Sequence, residues 1–293
     1  MSVILATLGR NIAWEESRTS GLLGRLLHHR GFVLGAAGVV VLVGVAAFGP
    51  SLVGDPDATR YSEQLLAPSL QFPLGTDSDG RDVLARTIYG ARVSILASLV
   101  VFAVTTTIGI CLGVGAGLIG GWVDTVVCRC CDVMLGLPSL VMALAIVGAL
   151  GPGLTNLVLA MSLTGWAGLA KLCRSLSLES RHRGDVIAAR MAGVSRVRTA
   201  AGHVFPSVLV YGLISATLGL GETILGLAGM SFLGLGVQPP TAEWGSMLNE
   251  SRIDLSVAPW LLIGPGVGLV VVVTSVTLIS DALRDCADLR EFS

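Results

Sequence analysis

The sequence predicts an all-α membrane protein with six transmembrane helices and both termini on the cytoplasmic side. Of its 293 residues, 53% are hydrophobic and only 13% are charged, whereas a soluble domain carries roughly a quarter charged residues. Long apolar windows contain no charge at all, and a bilayer needs about 20 apolar residues per helix. Lysine and arginine are also divided unequally between the two predicted sides of the membrane.

The predicted spans follow these charge-free windows and the breaks within them. Gly151-Pro152-Gly153 divides the long window from Val133 to Ala170 into two helices. The first apolar run starts too late and is too long for a cleaved signal peptide, so we expect it to remain as a membrane anchor. The spans are predicted near residues 32–50, 93–117, 129–149, 154–172, 207–228 and 259–280.

The orientation follows from the distribution of positive charge, which concentrates on the cytoplasmic side of membrane proteins. With the N-terminus inside, the outer segments hold five of the 19 Lys and Arg residues, which leaves fourteen inside; the five are Arg60, Arg81, Arg86, Arg92 and Arg252. We therefore predict a cytoplasmic N-terminal segment (1–31), a transmembrane domain (32–280) and a cytoplasmic tail (281–293). The domain contains an outer loop (54–92), a cytoplasmic loop (173–206) and an outer segment (229–258).

The composition argues against several classes of function. The only lysine, Lys171, is not part of a Gly-Lys-Ser/Thr sequence, which a phosphate-binding Walker A loop requires. If ATP drives this protein, another chain binds it. A net charge of −1 gives no argument for a nucleic-acid partner. We predict no cofactor bound by this chain.

The six cysteines are predicted in spans or on the cytoplasmic side, which fits reduced thiols rather than disulfides. The sequence Cys128-Arg129-Cys130-Cys131 raises the alternative of a metal site. Its spacing is too tight for a tetrahedral zinc pair, and the chain has no second pair. The sequence therefore predicts buried thiols and no metal.

Residues 174–206 form a strongly basic, largely helical segment between two predicted spans. Asp185–Met191 can form a short helix, Gly193 permits a turn, and Val194–His203 can form a second helix. Pro206 suits the first turn of the next span. The residues alone leave two interpretations open: a lever rigidly joined to both adjacent spans, or an amphipathic surface helix resting on anionic lipid.

Glu222 is the only acidic residue deep in a predicted span. Carboxylates within a membrane are energetically costly and usually face a cavity or a partner. One interpretation places Glu222 on a translocation path, where it meets the cationic amino terminus or a side chain of a peptide. The other is a hydrogen-bonded carboxylate between helices.

Small residues are frequent in the predicted spans, and in membranes they let helix backbones approach closely. They indicate either tight packing within one subunit or an interface between subunits that slides during gating. The residues are Gly113, Gly115, Gly117, Gly148, Gly151, Gly219, Gly221, Gly226 and Gly229.

The end of the predicted outer loop, PLGTDSDGRDVLARTIYGAR (73–92), carries charges of both signs together with glycines that favour defined turns. It can form a rigid, self-paired cap or a solvated loop without partners. The stretch around Pro239-Pro240 and Trp244 is too short and too interrupted to span a bilayer. We predict an interfacial or re-entrant segment there.

The basic segment resembles the EAA loop of binding-protein-dependent ABC importer permeases. Ala188, Ala189, Gly193 and Pro206 fall in register with that motif, and Ile187 stands at its usual glutamate position. The missing glutamate removes any salt bridge that it makes in relatives, but not the docking geometry.

Two further segments extend the resemblance. Residues 73–92 and GMSFLGLGVQPPTAEWGSML (229–248), together with LGPGLTN (150–156), resemble signatures of the C-type permease subunit in the dipeptide/oligopeptide/nickel ABC importer family. The resemblance runs from about residue 20 to residue 290. It implies a type I ABC importer permease fold, without catalytic residues, in the bacterial cytoplasmic (inner) membrane.

The resemblance also implies partners. These are a B-type permease in a heterodimer, two ATPase subunits or a fused pair that bind ATP and Mg²⁺, an extracytoplasmic peptide-binding protein, and the peptide itself. Nickel or metallophore import is the alternative. An ion-coupled carrier acting alone is a rival class, although the chain shows no internal repeat, and a receptor or scaffold without transport is a third.

We expect three groups of functional residues. The ATPase-coupling group comprises Asp185, Ala188, Ala189, Arg190, Gly193, Val194, Ser195 and Pro206. The translocation-path group comprises Glu222, Leu227, Ser231 and Phe232, where relatives often carry glutamate at the position of Leu227. The group facing the binding protein comprises Asp77, Asp79, Arg81, Asp82, Pro239, Pro240 and Trp244.

Overall fold

The computed structural model describes residues 24–288 and is built from helices; most of the predicted N-terminal segment (1–31) and the last five residues of the predicted tail (281–293) lie outside these residues. No β-strand occurs among them, and an isolated bridge pairs Thr76 with Asp82. The helices are α1 (Arg30–Phe48), α2 (Val83–Ile119), α3 (Gly121–Leu135), α4 (Ser139–Leu150), α5 (Leu154–Thr164), α6 (Ala167–Ser180), α7 (Gly184–Met191), α8 (Arg196–Thr199), α9 (Phe205–Phe232), α10 (Trp244–Ser251) and α11 (Ile263–Asp288).

Among the described residues, five helical stretches are long and apolar enough to cross a membrane, and the bent pair α3–α4 adds a sixth if it counts as one span. Each of the five stretches contains one of the predicted windows and several extend beyond it. They are Arg30–Ser51, Val83–Ile119, Leu154–Ser180, Arg196–Phe232 and Pro259–Cys286.

The prediction of one continuous helix over 129–149 is wrong. The axes of α3 and α4 differ by 85° across a short break that contains Gly136 and Pro138. Proline donates no backbone hydrogen bond, and its ring disfavours the helical conformation of the residue before it. The hydrophobicity of the sequence does not predict this bend. The bend leaves Leu135 and Ser139 beside a large cavity between α2, α5, α6 and α9.

The second helix predicted over Val194–His203 begins at Arg196 and continues into the next span without a break. Ser195 caps α8 by accepting a hydrogen bond from the Arg198 amide at 3.4 Å. A π-helical turn, Ala200–Val204, then joins α8 to α9. The result is one continuous helical stretch of 37 residues, Arg196–Phe232. Pro206 lies in the first turn of α9, where its missing N–H is tolerated.

The second span begins ten residues earlier than the apolar window alone predicts. The Asp82 carboxylate accepts a hydrogen bond from the Leu84 amide at 2.8 Å and a second from the Ala85 amide, which is the N-cap arrangement that aspartate favours. α2 therefore starts at Val83 and includes Arg86. A charged residue in the first turn of this helix has to find its partners within the protein.

Close helix packing accounts for part of the small-residue pattern. A Cβ on Gly113 would collide with the carbonyl oxygen of Ala170, and one on Gly117 would lie 2.5 Å from the Ser177 Cβ. α2 and α6 therefore approach each other closely within one subunit, as small residues permit. By contrast, a Cβ on Gly219 or Gly229 would meet nothing within 4 Å.

A short helix after α9 is fixed by a buried acid. Glu243 is fully buried, and its carboxylate accepts hydrogen bonds from the amides of Gly245 and Ser246, each at 2.9 Å. It also accepts one from the Ser94 hydroxyl of α2 at 2.8 Å. Each carboxylate oxygen thus has a donor, as a buried charge requires. The cap anchors α10 against α2.

Trp244 completes this anchor. Its indole N–H donates to the Thr87 carbonyl at 2.9 Å, and its ring lies in the largest described hydrophobic cluster with Val83, Ile224 and Leu269. A buried tryptophan is stabilising when its N–H finds an acceptor, as here. α10 consequently holds a fixed position across the ends of α2, α9 and α11.

Candidate functional site

An arginine–carboxylate cluster joins the loop before α2, α2 itself and α10. We define the cluster as Asp57, Asp77, Asp79, Arg81, Arg86 and Glu250. Arg81 Nε donates to Asp77 Oδ2 at 2.7 Å. One oxygen of Glu250, Oε2, accepts from both Arg81 Nη2 and Arg86 Nη2, at 3.0 Å each. Contacts to both guanidinium groups make Glu250 the centre of the cluster.

The two arginines of the cluster are deeply buried. Arg86 is only 1% exposed and Arg81 4%, and Arg86 Nη1 also donates to the Pro240 carbonyl at 3.1 Å. At the more exposed edge of the cluster, Asp57 pairs with Arg86 at 3.7 Å and Asp79 pairs with Arg81 at 3.0 Å. Buried charges of this kind are tolerated only when they are paired and hydrogen-bonded.

The pKa values reflect the opposition between burial and pairing. Burial acts to lower the pKa of Arg81, but Asp77, Glu250 and Asp79 more than offset it, so this pKa lies above its ordinary value. Burial raises the pKa of Glu250 above its ordinary value even though both arginines act to lower it. The charged form of Glu250 therefore depends on the two guanidinium groups.

Of the two interpretations of residues 73–92, the self-paired arrangement is the one observed. Asp77, Arg81 and Trp244, predicted to face a binding protein, are buried in the structure. Asp79 is half-exposed, and Pro239 and Pro240 lie at the surface. Asp82 is occupied as the N-cap of α2. The docking role of this group stays a prediction.

A cavity of about 680 Å³ lies between α2, α5, α6 and α9, beside the α3–α4 bend, and its mainly apolar wall carries several hydroxyl groups. Glu222 is the only ionisable residue among those that line it. The lining hydroxyl groups belong to Thr105, Thr106, Ser139, Thr164, Ser215 and Thr223. Three of them, on Thr105, Thr164 and Thr223, donate to carbonyls of their own helices, so their oxygens remain available as acceptors.

Glu222 is exposed on the wall of this cavity. Its carboxylate makes no hydrogen bond or ion pair with any residue between 24 and 288. The interhelical hydrogen bond of the second interpretation is therefore not formed within the described part of the chain. Of the four predicted path residues, Glu222 alone lines the cavity.

The other three predicted path residues have different surroundings. Leu227 is buried in a hydrophobic cluster with Val147 and Leu157, Ser231 is fully buried, and Phe232 is half-exposed. Their assignment to the path stays a prediction.

The basic segment, residues 174–206, presents α7 at the surface. Asp185 pairs with Arg183 at 3.2 Å and with His203 at 3.6 Å, while Val186 packs into the interior. Ala188 and Arg190 are exposed, Ala189 is half-buried, and Met191 is 85% exposed. One apolar side chain thus anchors a helix that otherwise offers its surface to solvent.

The turn after α7 uses the one glycine that its backbone requires. Gly193 has φ of 82°, a left-handed conformation that other residues adopt at a cost. Its amide donates to the Arg190 carbonyl at 3.1 Å, and the Val194 amide donates to the Ala189 carbonyl at the same distance. These bonds satisfy carbonyls at the end of α7 and fix the path of the chain toward Ser195 and α8.

Two acids that organise this site, Glu243 and Glu250, were missed by sequence reasoning. Both lie outside the apolar windows, so neither attracted attention as a buried acid. A signal existed nevertheless. Arg81 and Arg86 immediately precede a membrane-length apolar run, and carboxylates have to come from elsewhere to neutralise arginines at that depth.

The cysteines show no arrangement of metal ligands. All six are free thiols, and residues 24–288 contain no group of three or more His, Cys, Asp or Glu side chains able to hold a metal ion. Cys131 and Cys173 are buried among apolar side chains, whereas Cys130 is exposed.

The sequence matches a known family over residues 109–291, which include the basic segment, Glu222 and Glu250. The matching family model describes the inner membrane component of binding-protein-dependent transport systems. The chain belongs to this family. It is therefore an ABC transporter permease located in the inner membrane.

Individual permeases are similar over most of their length. The nickel transport system permease protein NikC of Escherichia coli K12 is 41% identical over 234 residues, which cover 80% of this chain and 84% of that protein. The dipeptide transport system permease protein DppC of Alkalihalophilus pseudofirmus is 38% identical over 261 residues, 87% of this chain and 85% of that one. The glutathione transport system permease protein GsiD of Escherichia coli O6 is 34% identical over 256 residues, which cover 86% of this chain and 84% of that protein.

We expect Arg86→Gln to lower the free energy of unfolding of this permease by about 3 kcal/mol, because it leaves the half-buried carboxylate of Glu250 with one guanidinium partner instead of two. Denaturation of the purified protein in detergent measures the change. Arg252→Gln is the matched control, since Arg252 is exposed and substitutions at such sites stay within about 0.5 kcal/mol. Equal losses in both variants would contradict a structural role for the cluster.

Proposed function

We propose that this chain is one of two permease subunits of an ATP-driven importer and that it forms the translocation path for peptides delivered by an extracytoplasmic binding protein. The observation that carries the proposal is a single continuous helical stretch, Arg196–Phe232. Its first turns belong to the basic segment, and Glu222 on the same stretch lines the cavity. A force applied to the basic segment is thereby transmitted along this helical stretch to the cavity wall that carries Glu222.

The proposal includes six spans, with the α3–α4 pair as one of them, and both termini in the cytoplasm. The distribution of charge supports this orientation. The basic segment, with its surplus of arginines, lies at one end of the helices, and the acid-rich cluster around Glu250 lies beyond the start of α2. Arginine-rich segments remain on the cytoplasmic side during insertion.

The chemistry of the cavity supports a peptide as the substrate. Hydroxyl groups offer hydrogen-bonding partners to peptide amides of any sequence, and the one carboxylate, on Glu222, suits a free ammonium group. A volume of about 680 Å³ lies within the usual range for small-ligand sites.

Nickel or metallophore import is the second candidate, and the similarity to NikC supports it. Since the described residues contain no group of metal ligands, nickel would pass through this cavity as a complex whose ligands come with it.

The proposed partners account for surfaces that this chain leaves open. Leu140, Val141 and Leu144 of α4 are exposed apolar residues next to the cavity, and a second permease in a heterodimer would cover them and close the path. The exposed α7 would dock on an ATPase subunit, one of two or half of a fused pair. ATP and Mg²⁺ would bind to the ATPases, so this chain has no catalytic residues of its own.

In this mechanism, ATP binding closes the ATPases and carries α7 and α8 inward. Because α8 is continuous with α9, the wall that bears Glu222 moves with them and the path opens toward the binding protein. Hydrolysis resets the arrangement. This is alternating access by rigid-body motion between two states, and it differs from an ion-coupled carrier, which acts without an ATPase.

ATPase activity of the purified complex tests the proposal, measured with and without binding protein and a panel of peptides. We expect stimulation only by binding protein loaded with peptide. Stimulation by nickel or a nickel chelate, but by no peptide, would move the chain to the second candidate. The absence of any associated ATPase would refute the importer proposal.

We expect Glu222→Gln to reduce uptake of lysine-containing dipeptides about tenfold relative to glutamate-containing ones, which corresponds to about 1.4 kcal/mol of lost attraction. The variant keeps the shape of the side chain and removes its charge. Competition uptake in vesicles measures the ratio, and Glu179→Gln, at an exposed position outside the cavity, is the matched control. An unchanged ratio would show that Glu222 does not contact the substrate.

We expect Gly193→Val to abolish uptake while ATP hydrolysis continues, because a side chain at a φ of 82° is strained by about 1–2 kcal/mol and shifts α7 relative to α8. Gly44→Val, in α1 and outside the basic segment, is the matched control: at both sites an added Cβ meets nothing within 4 Å, but only Gly193 has a positive φ. Parallel measurement of uptake and ATPase activity separates the two effects. Normal uptake in the Gly193 variant would rule out this coupling role.

A further inference from the structure

A second large cleft lies between the end of α2 and the basic segment. Its volume is about 550 Å³, and it shares no lining residue with the cavity that Glu222 lines. We call it the basic cleft. Its walls include Leu118, Ile119, Arg181, Arg190, Arg196 and Val197.

The charge of the basic cleft is one-sided. Three arginines line it, and no carboxylate does. Arg190 and Arg196 form no ion pair with any residue between 24 and 288. Arg181 donates to the carbonyls of Gly117 and Leu118, which holds its guanidinium at the end of α2. Asp185 is already paired with Arg183 and His203.

The apolar part of the basic cleft continues the surface of a membrane-length helix. Ile119, the last residue of α2, is 70% exposed, and Val197 on the opposite wall is 80% exposed. Trp122, just beyond α2, is also largely exposed, and tryptophan is enriched at the membrane–water boundary. The cleft thus combines apolar side chains at the end of a membrane-length helix with three guanidinium groups.

We propose that the basic cleft binds one anionic phospholipid. The phosphate would be held by the guanidinium groups of Arg190 and Arg196, which suit bidentate binding to phosphate, and an acyl chain would cover Leu118 and Ile119. Basic pockets between membrane helices on the cytoplasmic side bind anionic headgroups in this way. The orientation of the proposed importer enters only in assigning the lipid to the cytoplasmic leaflet.

The surface assigned to the ATPase is largely separate from this cleft. Of the eight predicted coupling residues, Arg190 alone lines it, whereas Ala188 and Gly193 do not. A bound lipid would therefore leave most of α7 open to a protein partner. It would tie α8 to the bilayer and make movement of the basic segment sensitive to the charge of the surrounding lipid.

Native mass spectrometry of the intact transporter complex tests the proposal. Complexes of the wild-type chain are exchanged into phosphatidylglycerol or phosphatidylcholine, and retained lipid is counted. We expect at least fivefold more retained phosphatidylglycerol than phosphatidylcholine, and loss of this preference in the double variant Arg190→Gln/Arg196→Gln. Arg198→Gln is the matched control, because Arg198 lies on the same helix but does not line the cleft.

The alternatives give different outcomes. An unchanged preference in the double variant would overturn the proposal. Complete displacement of the lipid by inorganic phosphate would assign the cleft to a free anion, and retention only after the ATPases are removed would assign it to the ATPase; both results overturn it. Uptake and ATPase assays remain separate readouts, so a failure here leaves the importer function untouched.

A measurement on the wild-type complex keeps the test valid if the double variant does not assemble. Phenylglyoxal modifies accessible arginines, and peptide mass spectrometry reads the extent at each one. In vesicles containing phosphatidylglycerol we expect at least threefold less modification of Arg190 and Arg196 than in phosphatidylcholine alone, with Arg198 as the internal reference. Equal modification in both lipids would overturn the proposal.

Discussion

The buried pairing of Arg81 and Arg86 with Glu250 is the constraint on which the arrangement of the helix ends depends. A guanidinium group that is almost wholly buried has to be neutralised, and Glu250 supplies the charge from a segment more than 160 residues further along the chain. That carboxylate is in position only because Glu243 caps α10 and holds it against α2. One acid fixes the short helix, and the other acid connects that helix to the arginines.

Because of this connection, the end of the molecule around α10 is held more firmly than the end that carries the basic segment. At the α10 end, ion pairs and the buried Trp244 tie the loop before α2 to α10 and α11. At the other end, Val186 is the one buried residue of α7, and the acid of this helix, Asp185, is exposed. Segments with few buried contacts open and shift at low free-energy cost, and in the proposed mechanism the moving parts lie at this end.

The sequence predicts the spans well and the joints between them poorly. Charge-free windows locate every long helix, because the penalty for a charge in lipid acts on each residue independently of its neighbours. The 85° bend at Pro138 and the fusion of α8 with α9 through a π-helical turn depend on backbone geometry that hydropathy does not contain. Glu222 could be singled out because an acid in an apolar window is conspicuous, whereas Glu250 is significant only once the fold has brought it to Arg86.

The joint between α8 and α9 also bears on how the proposed coupling would operate. An uninterrupted α-helix would transmit any displacement of α8 to α9, whereas a break between the two helices would transmit none. The π-helical turn Ala200–Val204 lies between these extremes, since it keeps the helix continuous but alters its hydrogen bonding locally, and such turns are frequent at functional sites. Val204 within it is buried beside Val208 and Cys173, so the turn is held against α6 as well as α9. A shift of α8 would therefore reach the wall that carries Glu222 through α9 and the neighbouring wall through α6. Both sides of the cavity would then respond to the same movement, which is what opening and closing a path requires.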